Sequence, residues 1–87
     1  MELLAREAQE ALRQRSHRLR ARAVSEAGRL AFTDAEQQEL RDIEDALTRI
    51  AHGEFGRCER CGGAMGRHRL RAVPEARHCL TCAALER

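Results

Sequence analysis

Leu40, Ile43, Leu47 and Ile50 recur at spacings of three, four and three residues, the period that lays one apolar stripe along a helix. The stretch "TDAE" just ahead of them sets Thr33 as an N-cap with Glu36 three residues on, the two halves of a capping box, and Asp34 and Glu36 suit the positive end of a helix dipole. Gly53 supplies a stop. A helix of one apolar face is therefore expected from Thr33 to about residue 52, with Asp45 and Arg49 as an i, i+4 ion pair on its surface.

The segment before it has a fainter pattern. Residues 2 to 27 are built from Ala, Leu, Arg, Glu and Gln, strong helix formers, and meet no Gly or Pro until Gly28. The stripe Leu12, Ser16, Leu19, Ala23 and Leu30 approximates a heptad seam but buries little, because two of its members are Ser and Ala. Two helices with a turn near residues 28–33 make an antiparallel, coiled-coil-like hairpin. The competing arrangement is one long helix that tolerates Gly28 at a cost of about 1 kcal/mol.

Charge favours the hairpin. Residues 11 to 30 carry six Arg against one Glu, while residues 31 to 56 carry seven acids against two Arg, so a basic helix would lie beside an acidic one. Every one of the sixteen Lys-plus-Arg positions is Arg, which reads as a compositional bias of the genome.

From Gly53 the texture changes to Gly, Cys, Arg and His, and Pro74 interrupts any helix before "CAALER" returns to helix formers. The expected organisation is thus all-α dominated: a helical hairpin arm over residues 1–52, then a small four-cysteine finger over 53–87 that ends in a short helix from Leu80 to about Glu86.

All four cysteines fall in that second part, as Cys58-x2-Cys61-x17-Cys79-x2-Cys82. This spacing suits a single zinc ion held by four thiolates, a closed set that leaves no position for a catalytic water. Iron in a rubredoxin-like site, a thioredoxin-like redox pair and two disulfides are the other readings. The redox pair is disfavoured because no βαβ pattern surrounds either motif. Disulfides are disfavoured because "MELLAREAQE" reads as neither a secretory signal nor a membrane span, which makes a cytoplasmic chain with reduced thiols the expectation.

Gly62 and Gly63 allow the chain to turn sharply after the first pair, and the second pair opens the short last helix. Phe55, Met65, Leu70 and Val73 are expected to pack around the ion, whose binding would supply most of the folding energy of so small a unit. His17, His52, His68 and His78 are read as solvated side chains beside a complete ligand set. Four thiolates and one dication bring the formal charge from +2 to zero, so whole-molecule attraction to nucleic acid is not expected.

The run "GEFGRCERCGGAMGRHRLRAVPEARHCLTCAALE" resembles the zinc finger of the DksA/TraR family of bacterial transcription regulators, through Gly53, Phe55, Gly56, Cys58, Cys61, Gly62, Met65, Arg69, Leu70, Ala72, Pro74, Ala76, Cys79, Cys82 and Ala83. The preceding "ELRDIEDALTRIAHG" is similar to the helix that leads into that finger. The resemblance implies a non-enzymatic protein that binds RNA polymerase, inserting a helical hairpin into the secondary channel, often together with the nucleotide ppGpp.

The family's tip motif, Asp-x-x-Asp-x-Ala, does not occur here; the nearest letters are "DIEDAL" at Asp42 to Leu47, inside the second helix. Glu26, Asp34 and Glu36, around the expected turn, are the candidate partner contacts in its place. Two further classes compete with the regulator. One is a structural adaptor that homodimerises through the Leu40–Ile50 seam. The other is a nucleic-acid module using Arg13, Arg15, Arg18, Arg20, Arg22, Arg67, Arg69 and Arg71, which lacks aromatic residues for base stacking.

Overall fold

The computed structural model describes residues 2–23 and 32–85. They form four helices: α1 (Glu2–Ala23), α2 (Asp34–Ala51), α3 (Arg67–Ala72) and α4 (Leu80–Leu85). Among the described residues the β structure is one isolated bridge between Arg57 and Ala64.

The start of α2 follows from local chemistry. The Thr33 hydroxyl accepts from the Glu36 N–H at 3.1 Å, and the Glu36 carboxylate accepts from the Thr33 N–H at 3.0 Å, so two otherwise unsatisfied donors are answered reciprocally. Its end is equally defined. Gly53 adopts φ 72, which lets its N–H reach the Ile50 carbonyl at 3.1 Å while the Glu54 N–H reaches the Arg49 carbonyl at 2.8 Å. This pair of bonds is the Schellman stop, and its left-handed residue favours Gly.

α1 and α2 pack side by side. Leu12, Leu19, Leu40, Ile43 and Ala46 are buried together, with Phe32, Leu47 and Ile50 partly buried against them. Arg22, in the last turn of α1, pairs with Glu36 in the first turn of α2, whereas Leu4, at the other end of α1, packs among finger residues that follow α2. The two helices are therefore antiparallel, and the single continuous helix is excluded. Leu12 and Ile43, both 0% exposed, anchor the contact, each contributing about 1.5 to 3 kcal/mol in transfer terms.

The buried stripe of α1 is longer at its start than the sequence suggests, because Leu4 and Ala8 are buried while Ser16 is only half-buried. Leu30 of the expected stripe, and the expected turn around Gly28, lie outside the described residues. The complementary charge of the helices is realised in Arg15–Glu39 at 2.7 Å, Arg20–Glu44 at 2.7 Å and Arg22–Glu36 at 2.8 Å. The expected Asp45–Arg49 pair gives way to longer-range partners: Asp45 binds Arg77, and Arg49 binds Glu59.

A second cluster lies in the finger. Cys58, Met65, Leu70, Ala76 and Cys82 are buried with Leu4 of α1, and Phe55, Val73 and Cys79 pack against them. The α3 helix was not expected. It is six residues long and is pinned by Leu70, which is 1% exposed, rather than by any periodic pattern.

Candidate metal centre

The first cysteine pair sits in a tight turn closed by backbone bonds. The Gly62 N–H reaches the Cys58 carbonyl at 2.9 Å and the Cys58 N–H reaches the Gly63 carbonyl at 2.9 Å. Gly62 has φ 76, a conformation that strains other residues, so the glycine written after "CERC" is required by the turn. The second pair opens α4: Cys79 precedes it, the Ala83 N–H bonds the Cys79 carbonyl at 2.9 Å, and Cys82 lies one turn in. A bond of 2.8 Å from the Glu59 N–H to the Arg77 carbonyl ties the two turns together.

This brings the four sulfurs to one place. The Sγ atoms of Cys58, Cys61, Cys79 and Cys82 all lie within 4.8 Å of one another, and Cys61 Sγ is 3.9 Å from Cys79 Sγ. Sulfurs about 2.3 Å from a tetrahedral zinc ion stand about 3.8 Å apart, so the cluster has the dimensions of a one-ion cage. All four cysteines are free thiols. Cys58 and Cys82 are buried, Cys79 half-buried and Cys61 exposed.

The electrostatics fit a cation at the centre. The Gly63 N–H donates to Cys61 Sγ and the Cys82 N–H to Cys79 Sγ, both at 3.4 Å. Burial pushes the Cys58 thiol up, but the backbone amides around it outweigh this and bring it down to about 6. Cys82 is pushed up to about 12, first by its hydrogen bond to Cys79, then by burial and by the Cys58 and Cys61 sulfurs. One thiol brought down beside another pushed up means that the neighbouring sulfurs oppose one another's ionisation, a conflict that a bound dication relieves. The four cysteines are thus positioned to bind one metal ion, and all four positions of a tetrahedral ion would be filled by sulfur.

Three arginines join this centre to the helices. Arg15 of α1 binds Glu39 of α2 at 2.7 Å and, through both terminal nitrogens, Glu75 of the finger at 2.9 and 3.0 Å. Burial pushes the Glu75 carboxyl up, but the Arg15 guanidinium and a backbone hydrogen bond together outweigh this and hold it below the usual carboxylate range. Arg77, two residues before Cys79, bonds Asp42 at 2.9 Å and also Asp45. Arg49 reaches the carbonyls of Glu75 and Ala76 and the Glu59 carboxylate. Asp42 and Asp45, the letters nearest to the family's tip motif, are thus fastened to the finger.

Of the candidate partner contacts, Asp34 is exposed at the first residue of α2. Glu36 is held by Thr33 and Arg22, which lower its carboxyl below the usual range. Glu26 lies outside the described residues. The arginine clamps escaped the sequence reading because their partners stand 10 to 60 residues apart, from Arg49–Glu59 to Arg15–Glu75. The local signal that could have found them is the concentration of Arg and acid in successive segments. No described helix is long and apolar enough to cross a membrane.

Comparison with known proteins agrees with this geometry. Residues 53–86 match the profile of the prokaryotic dksA/traR C4-type zinc finger. Over 52 residues the chain is 38% identical to the RNA polymerase-binding transcription factor DksA of Escherichia coli (strain K12), a match covering 60% of this chain and 34% of that protein. The chain thus spans about a third of the length of the curated relatives it matches. Its fold is similar to that of transcription factor DksA2 from Pseudomonas aeruginosa, with a TM-score of 0.77 at 20% identity over 97% of this chain and 83% of that one. It is also similar to the DnaK suppressor protein from Agrobacterium tumefaciens C58, with a TM-score of 0.58 at 33% identity over 97% of this chain and 88% of that one. The four-cysteine cluster, the finger profile and the near-complete match to this last protein agree: the chain belongs to the DksA/TraR family of C4-type zinc finger proteins.

Proposed function

We propose that this chain is a small transcription regulator that binds RNA polymerase, with residues 1–52 as a helical docking arm and residues 53–87 as its rigid, zinc-stapled base. Cys58, Cys61, Cys79 and Cys82 hold one zinc ion, and with every position taken by sulfur the ion is structural and performs no hydrolytic chemistry. The relative from Escherichia coli is named for binding RNA polymerase, and the family carries that reading to this chain.

The observation that supports it most directly is the fastening of arm to base. Arg15 joins α1, α2 and the finger, and Arg77 joins the finger to α2, so the arm projects at a fixed angle from the metal centre. A protein that probes a larger machine benefits from such preorganisation, because less conformational freedom is lost on docking. The α2 helix, 18 residues long, extends about 27 Å. Asp34, at the first residue of α2, is a candidate contact, and Glu26 is kept as a second on its sequence position alone; Glu36 acts mainly through the helix it caps.

Co-purification tests the reading. A tagged, zinc-loaded chain should enrich the subunits of its cognate RNA polymerase over a Cys58→Ser control whose finger lacks one ligand. Equal recovery from both would remove the main support for docking.

A further inference from the structure

The two cysteine pairs are shaped by different means. The first closes on itself, through Gly62 at φ 76 and the backbone bonds that join Cys58 to Gly62 and Gly63. The second pair, "CLTC", contains no glycine, and the chain that leads into it is held from outside. The carbonyls of Glu75 and Ala76 accept from Arg49 of α2 at 3.4 and 3.3 Å, and the Arg77 carbonyl accepts from the Glu59 N–H at 2.8 Å. The next carbonyl, that of His78, accepts twice from Arg69 of α3, from Nε at 3.3 Å and from Nη2 at 3.2 Å.

Among the described residues Arg69 enters no ion pair, and its half-buried side chain directs two donors at this one backbone oxygen. The helix that carries it is seated in the metal cluster, because Leu70, 1% exposed, is buried with Cys58 and Cys82. The His78 carbonyl and the Cys79 N–H belong to one planar peptide unit, so a rigid fork that fixes the oxygen also fixes the plane from which Cys79 departs. One staggered side-chain torsion then carries Cys79 Sγ to its place 3.9 Å from Cys61 Sγ. With a charged donor, these bonds are stronger than neutral backbone ones of the same length.

We infer that Arg69 is a positioning residue of the metal centre: its two bonds to the His78 carbonyl set the peptide ahead of Cys79 and so the stance of that thiolate toward the ion. This rests on the four-cysteine zinc site and is independent of docking on RNA polymerase.

Transfer of zinc from the full chain to a competing chromogenic chelator tests it, with helicity followed in the same samples. Arg69→Met keeps a long side chain and removes every donor. It should release zinc at least tenfold faster than the parent, in line with the about 10- to 100-fold loss of metal affinity that removing a ligand's outer partner costs. Arg69→Lys keeps the charge without the fork and should release zinc at least threefold faster. Arg71→Ala, exposed two residues further along α3, should stay within twofold of the parent. Cobalt(II) in place of zinc supplies a readout that loosened packing alone would not move: its visible absorption bands should be displaced in Arg69→Met and lie nearer the parent's in Arg69→Lys.

Release within twofold of the parent by Arg69→Met would overturn the inference, and if that variant does not fold, parent-like release by Arg69→Lys would do so. Equal acceleration in Arg71→Ala would reduce the effect to the charge of α3 and overturn it too. Faster release with unchanged cobalt bands would assign Arg69 to packing rather than to the stance of Cys79, again overturning it. A parent chain that holds no zinc would overturn the metal site and the inference together.

Discussion

Arg77 and Asp42 lie 2.9 Å apart although 35 residues separate them in sequence, and this contact, with its extension to Asp45, fastens the metal-bearing finger to the second helix of the arm. Asp42 and Asp45 occur as "DIED", the letters nearest to the tip motif that the family resemblance implies but that this chain lacks. In this chain they work at the junction.

Arg77→Ala should therefore loosen the junction rather than the metal site. Three carboxylates, Asp42, Asp45 and Glu59, would lose a shared partner. Arg77 is 28% exposed, so solvent screens the loss, and about 1 to 2 kcal/mol of stability should disappear, with zinc still bound. Denaturant titration with metal analysis checks this, and zinc loss from the folded variant would show the clamp to be part of the site.

The capping box of α2, its Leu40–Ile43 stripe and each Cys-x2-Cys pair could all be read from the chain because each is written within one or two turns of backbone. The α3 helix could not, since six residues of Arg, His, Leu and Ala between Gly66 and Val73 carry no periodicity and owe their helix to the burial of Leu70. The same holds for Leu4, whose partners are finger residues more than fifty positions away. The Asp45–Arg49 pair was expected from spacing and does not form, because Arg77 and Glu59 offer stronger partners across the fold.

Two separate apolar clusters imply separable defects. Leu12→Ala empties the arm cluster and should cost about 2 to 5 kcal/mol, enough to melt much of α1 and α2 at moderate temperature, while the finger retains its zinc. Leu70→Ala should instead weaken zinc retention against a competing chelator. Circular dichroism and a chelator titration on both variants check the distinction; equal zinc loss in the two would contradict it.

Gly53 and Gly62 have open space around the missing Cβ, so only their positive φ resists substitution. Gly53→Ala should cost about 1 kcal/mol, read as earlier unfolding of α2. Gly62→Ala should cost a similar amount, expressed as weaker metal binding because the strain falls inside the first cysteine turn.

The Arg15–Glu75 pair makes stability depend on pH. The folded protein holds the Glu75 carboxyl below its ordinary value of 4.5, so the stabilisation is present above that pH and is lost as pH falls through the lowered folded value. Glu75→Gln should be about 1 kcal/mol less stable than the parent at pH 7, and the difference should shrink toward zero in acid. Comparing the two proteins at each pH cancels zinc release common to both. A difference that stays constant with pH would show that Glu75 acts by packing alone.

Docking of the arm on RNA polymerase is the claim on which the rest depends, and site-specific photo-crosslinking tests it most directly. A photoreactive residue at Gln37, exposed in the early turns of α2, reports what the far half of the arm touches. The account predicts a light-dependent crosslink from the zinc-loaded chain to a large subunit of cognate RNA polymerase, lost in the Cys58→Ser variant. A crosslink to no polymerase subunit, under conditions where the chain is folded and zinc-bound, would contradict it.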